Sequence, residues 1–174
     1  MPRSDHASGG RDLVKVLTAS ENPAIHTTIE RALALLGEQD AASLQLIRAT
    51  TAADTLTVAG VEHPRVAFLD VTIGKGAGVG LVHFLQSTVP GLVVVAIVPE
   101  GVASDVRLVE QAAALGAAYV LLGELTGDDV LRAFTRVAPM FVPSRPPPPI
   151  DVREDDPPAS LGGATATFSE VRSF

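Results

Sequence analysis

Apolar residues fall into five short runs, at 13–19, 44–49, 66–69, 92–98 and 117–122, separated by longer stretches in which they recur every three or four positions. Three of the runs are apolar without alternation. That is how strands covered on both faces read, whereas a strand with one wet face alternates. The pattern therefore predicts a parallel sheet. The intervening stretches carry helix signals. Asn22-Pro23 supplies a cap and a first-turn proline for a helix with Ile25, Ile29, Leu33 and Leu36 inward, and Gly37 stands where a left-handed C-terminal residue is wanted. Thr51 with Asp54 three residues on is a capping-box-like opening for a second helix through Val61. A third helix, 80–87, places Leu81, Phe84 and Leu85 on one face and stops at Pro90. Ser104 caps a fourth, with Val106, Val109, Ala112 and Ala113 inward and Gly116 at its end. Thr126 with Asp129 opens a fifth, with Val130, Phe134 and Val137 inward, ending at Pro139. Strand and helix alternate five times, which predicts an α/β fold: a doubly wound five-stranded parallel sheet with helices on both faces.

Composition narrows this further. Of 174 residues, 47% are hydrophobic and 19% charged, enough for one sizeable core. A domain of about 130 residues buries roughly two-thirds of the surface its unfolded chain exposes, which leaves little for a second core. Residues 1–10 read as a flexible leader, 11–142 as the folded domain and 143–174 as a disordered linker or tail. Seven of the thirteen prolines fall in 143–158, and proline lacks the donor that a helix or interior strand requires. A net charge of -7 repels a phosphate backbone, so direct nucleic-acid binding is not expected. There is no cysteine to form a disulfide, a thiolate-ligated zinc site or a thiol nucleophile, and residues 1–10 lack the apolar core of a signal peptide. The longest apolar run has seven residues, against the ~20 a membrane-spanning helix needs. The expected compartment is the cytoplasm.

In an open parallel sheet, ligands gather at the carboxyl ends of the strands. Those ends supply Ser20, Glu21 and Asn22 after the first strand, Asp70 after the third, Val98-Pro99-Glu100 after the fourth and Gly123-Glu124 after the fifth. Together with Lys-Val-Leu-Thr-Ala-Ser-Glu-Asn-Pro at 15–23, Val-Ala-Phe-Leu-Asp at 66–70 and Leu-Gly-Ala-Ala-Tyr-Val-Leu-Leu at 115–122, this order of elements resembles the receiver domain of bacterial response regulators over residues 12 to 139. The resemblance implies a flavodoxin-like strand order 2-1-3-4-5. It places Asp70 on the aspartate that accepts a phosphoryl group, and Ser20 and Glu21 on the two acidic positions that hold magnesium. It puts Val98 or Pro99 on the hydroxyl position, Tyr119 on a switch position and Gly123 on the lysine position. Only Asp70 and Glu21 keep a carboxylate, so a magnesium site made by these two would be weak. Phosphoryl transfer is mostly positioning and electrostatic stabilisation. With no lysine, and with Glu100 and Glu124 at the rim, developing negative charge would meet negative charge. The resemblance therefore implies a degenerate, pseudo-receiver site.

Other candidate chemistry is thin. The run Gly74-Lys75-Gly76-Ala77-Gly78-Val79-Gly80 follows a strand and opens a helix, but it lacks the Gly-Lys-Ser/Thr ending of a P-loop. It reads as a mobile loop beside Asp70, with Lys75 as a candidate pairing partner for that carboxylate. His6, His26, His63 and His83 have no metal-ligand spacing, and no acid, base and nucleophile converge to make an enzyme. The leading reading is a phosphorylation-independent receiver-like signalling domain that needs no cofactor. It acts through a protein partner, or a homodimer, on the face of the fourth helix, fifth strand and fifth helix. Two alternatives stay open: a receiver that switches by phosphorylation at Asp70, and the N-terminal regulatory part of a larger transcription factor or of a pilus-assembly or polar-localisation ATPase.

Overall fold

The computed structural model describes residues 13–39, 43–103 and 105–141; the leader, the Pro-rich segment 143–174 and Ser104 lie outside them. Five parallel strands, β1 (Leu13–Ala19), β2 (Ser43–Ala49), β3 (Val66–Asp70), β4 (Val93–Val98) and β5 (Tyr119–Leu122), form one sheet in the order β2-β1-β3-β4-β5. The five helices are α1 (Pro23–Gln39), α2 (Ala52–Glu62), α3 (Gly78–Thr88), α4 (Val106–Ala114) and α5 (Gly127–Phe141), with a short turn at Ile73–Gly76 between β3 and α3. The doubly wound architecture and its strand order are those expected from the sequence.

Every residue of β3 and β4 is buried, which explains their unbroken apolar runs. Val16, Val66, Phe68, Val95 and Ile97 pack against Ile25, Ile29 and Leu33 of α1 and Val130, Ala133 and Val137 of α5. The alternate strand positions, Leu17, Ala67, Leu69 and Val94, pack against Ala59 of α2 and Leu81, Val82 and Leu85 of α3. A smaller cluster of Val71, Val79, Ala96, Val98 and Ala112 joins β4 to α3 and α4. The register sets Asp70 beside Ile97, and Val98 beside Leu122, so the carboxyl ends of the three strands meet at one rim.

Several local expectations are corrected. Helix α1 runs past Gly37 to Gln39, and α5 continues through Pro139 to Phe141, so neither residue ends its helix. Helix α3 starts at Gly78, two residues before the expected 80, and its inward face is Leu81, Val82 and Leu85. Phe84 lies 55% exposed instead. Val106 is 63% exposed and Ala113 is also exposed; Ala112 is the buried residue of α4. The cap of α4 is Asp105, whose side chain accepts from the Arg107 N–H at 3.1 Å. Two of the anticipated starts do form. Thr51 accepts from Asp54 N, while Asp54 Oδ2 accepts from Thr50 N. Thr126 Oγ1 donates to Asp129 Oδ2 at 2.6 Å and accepts from Asp129 N at 3.3 Å. Helix α2 closes on His63 in a left-handed conformation with its N–H on Ala59 O, so this histidine has a backbone role.

Gly78 is where α3 touches the end of β3. A Cβ there would lie 2.5 Å from Asp70 O and 2.7 Å from Val71 Cα, both of them backbone atoms with no freedom to yield. Gly78→Ala is therefore expected to cost about 2–3 kcal/mol, lowering the thermal midpoint by roughly 5–10 °C. An unchanged midpoint would contradict this close approach. A second expectation concerns α5. The hydrogen bond from the Thr126 hydroxyl holds the Asp129 carboxyl below the usual carboxylate range. Its stabilisation is complete above the unfolded carboxylate pKa and lost as pH falls through the lower folded value. In Thr126→Val, the NMR-monitored Asp129 titration should move up toward that of a free aspartate.

Candidate functional site

Asp70 closes β3, and its side chain is 3% exposed. Its two carboxyl oxygens are both engaged. Oδ2 accepts from the Ser20 hydroxyl at 2.7 Å. Oδ1 accepts from the Thr72 N–H at 2.9 Å and the Thr72 hydroxyl at 2.6 Å. The last two bonds form a local turn two residues beyond the aspartate, a conformation that Asp side chains favour because they mimic a backbone acceptor. Ser20, fully buried at the end of β1, also accepts from the Asn22 N–H at 3.0 Å. The hydroxyl thus bridges the start of α1 to the end of β3.

Behind Ser20 lies His26, 4% exposed on the first turns of α1. Its Nε2 is 2.8 Å from the Ser20 carbonyl, and its Nδ1 is 2.6 Å from the Thr18 hydroxyl. A carbonyl can only accept, so Nε2 carries the hydrogen. His26 therefore holds the backbone of Ser20 while Ser20 holds Asp70.

Glu21 is exposed, and its Oε1 accepts from the Gly74 N–H at 2.9 Å. That bond pins the turn between β3 and α3, in which Gly74, Lys75 and Gly76 all have positive φ. Lys75 at φ 60° is a strained conformation for a residue with a side chain. The segment expected as a mobile loop is thus a defined left-handed turn, anchored by Glu21. Lys75 is exposed, and no Lys75–Asp70 ion pair occurs among the described residues.

The other strand ends carry Val98, Tyr119 and Gly123. Val98 is fully buried among Val71, Val79 and Ala112, where its methyl groups fill space and donate nothing. Tyr119 packs against the core under α1 and α5, while its neighbour Val120 faces the α4 side. Gly123 has φ 85°, so any L side chain placed there would be strained although open space surrounds it. Glu100 and Glu124 are exposed at this rim.

As placed, these residues do not fit a magnesium ion. Magnesium requires several oxygen donors in near-octahedral geometry. Ser20 directs its hydrogen at Asp70, Glu21 is turned to a backbone amide, and among the described residues no group of three or more His, Asp or Glu side chains could hold a metal. Sequence reasoning brought Ser20, Glu21 and Asp70 to one rim, where they are found. It missed Thr72 and the Thr18–His26 pair. The Asp-Val-Thr spacing at 70–72 was the available signal for Thr72, whereas His26 lies in an ordinary amphipathic helix and carries none.

Solved structures share this fold. A CheY-like receiver domain from Methanospirillum hungatei aligns with a TM-score of 0.61 at 18% identity, over 74% of this chain and 96% of that one. The receiver domain of the putative response regulator NarL from Mycobacterium tuberculosis aligns with a TM-score of 0.61 at 25% identity, over 72% and 96%. A response regulator from Burkholderia pseudomallei, whose structure holds a phosphorylated aspartic acid and a calcium ion, aligns with a TM-score of 0.57 at 19% identity, over 72% and 69%. No protein-family model and no curated protein matches the sequence. The chain has the fold of the response-regulator receiver domains.

Removing the bridging hydroxyl tests the geometry of the site. Ser20→Ala leaves Asp70 Oδ2 and Asn22 N without their buried partner and should cost about 1–3 kcal/mol in urea unfolding. Wild-type stability in this variant would mean that Ser20 does not tie β1 to β3.

Proposed function

We propose that this receiver-fold domain signals through protein contact and without an aspartyl-phosphate switch. The observation that carries the reading is the state of Asp70: a buried carboxylate whose two oxygens are held by Ser20 and Thr72. An attacking oxygen must be free to reach a phosphoryl donor, and the transferred group's negative charge needs a cation to meet it. Here the nucleophile is engaged, Ser20 stands at an acidic position of the resembling family, and the strand ends offer Val98 and Gly123 in place of a hydroxyl and a cation. The loops after β4 and β5 add the carboxylates of Glu100 and Glu124, which oppose a dianion.

Contact then falls to the surface. The α4–β5–α5 face exposes Val106 and Leu122 among Arg107, Arg132 and Arg136 and the acids Asp105, Glu110 and Asp128. Apolar side chains ringed by charges of both signs suit a specific interface, with the charges selecting the partner and its orientation. A second copy of the domain or a different signalling protein would fit this description, and the setting is the cytoplasm.

The test is a titration of the 15N-labelled full chain with magnesium and beryllofluoride, paired with intact-mass measurement after incubation with a small phosphodonor. The expected result is unmoved amides at Ser20, Asp70 and Thr72, and an unchanged mass. A saturable shift at these amides, or the gain of one phosphoryl group abolished in Asp70→Asn, would establish a phosphorylated switch instead.

A further inference from the structure

A cleft of about 430 Å³ opens beside the Asp70 cluster, between the first turns of α1 and the loops that follow β4 and β5. Its apolar lining comes from Ile25, Ile97, Pro99 and Leu125, and the backbone of Gly123 leaves one wall open. Glu100 and Glu124 also line it; both are exposed, and neither carboxylate has a hydrogen bond or ion pair among the described residues. Among the described residues no lysine, arginine or histidine lines the cleft.

One opposing effect must be weighed, because the N-terminus of α1 borders the cleft and a helix N-terminus attracts anions. That end carries the equivalent of roughly half a positive charge. Its first donors are already occupied: Pro23 has none, Asn22 Oδ1 takes the Ala24 N–H at 3.0 Å, and Asn22 O takes the Ile25 N–H at 3.2 Å. Two unpaired carboxylates outweigh that half charge, so the balance of charge at the rim is negative.

We propose that this cleft receives a short basic segment of a partner protein. An arginine or lysine side chain lays its methylene stem along Ile25, Ile97 and Leu125 and brings its charged head to Glu100 and Glu124. Such side chains combine an apolar stem with a cationic tip, which matches an apolar lining beneath an acidic rim. Arginine adds planar, paired donors for a carboxylate. A purely apolar segment would bury the two carboxylates without partners, and an acidic or phosphorylated one would be repelled. This inference rests on the protein-contact reading above and adds, apart from the α4–β5–α5 face, a second contact and the chemistry of its partner.

The experiment titrates the 15N-labelled full chain with a blocked Arg-Ala-Arg peptide and, separately, with its Glu-Ala-Glu counterpart. The basic peptide should give saturable shifts at Asn22, Gly123 and Leu125, and the acidic peptide none. Binding should weaken about tenfold or more in the double variant Glu100→Gln, Glu124→Gln, and should fall with added salt. Glu62→Gln at the end of α2 removes an equal kind of charge elsewhere and should leave binding unchanged. Equal loss in the Glu62 variant, shifts mapping to another face, binding of both peptides, or no saturable shift at millimolar peptide would each overturn the proposal. The beryllofluoride titration is independent of these outcomes. A response there alongside intact peptide binding would remove the reading of Asp70 and leave the cleft assignment standing. An inert Asp70 with no peptide binding would do the reverse.

Discussion

The buried carboxylate at the end of β3 constrains everything around it. A carboxyl group 3% exposed is costly to bury unless its oxygens are hydrogen-bonded. Ser20 and Thr72 meet that requirement from two directions, one across the sheet and one from the following turn. Had residue 20 been acidic, two carboxylates would face each other at hydrogen-bonding distance, an arrangement that needs a cation or a shared proton. A serine makes the pair self-sufficient. The Ser20 hydroxyl is the donor that lets Asp70 stay buried.

The turn after Asp70 follows a similar logic. Three successive positive-φ residues, one of them Lys75, are not a conformation the chain adopts without support. Support comes from Glu21, whose carboxylate accepts the Gly74 N–H, and from the close seating of Gly78 on the β3 backbone. Glu21 thereby ties the end of β1 to the β3–α3 turn, as Ser20 ties it to Asp70, and His26 secures Ser20 from behind. Two adjacent residues, Ser20 and Glu21, knit three elements together through side-chain oxygens. In the resembling family those positions would serve an ion.

Much of this was legible in the residues. The five apolar runs and the caps at Thr51 and Thr126 identify strands and helix starts because burial on both faces and orphan N–H groups leave direct marks on composition. Asp70, Ser20 and Glu21 were placeable at the rim because each closes an apolar run. Val98 and Gly123 were readable as lacking a hydroxyl and a cation from their identity alone. Errors arose where local signals met competing packing. Gly37 and Pro139 look like stops, yet the helical hydrogen bonds continue past them. Phe84 and Val106 look like core, yet the helices are rotated so that smaller residues touch the sheet.

The sequence by itself determined the class of fold, the core stripes and which chemical groups are present at the strand ends, since these depend on side-chain type and short-range period. Tertiary structure alone decided what those groups do to one another. That Ser20 donates to Asp70, that Glu21 turns to Gly74, and that Glu100 and Glu124 share a cleft with Ile25 and Ile97 are facts of residues far apart in the chain brought together by the fold. Hydrogen bonding and charge act between such neighbours, and no spacing along the chain encodes them.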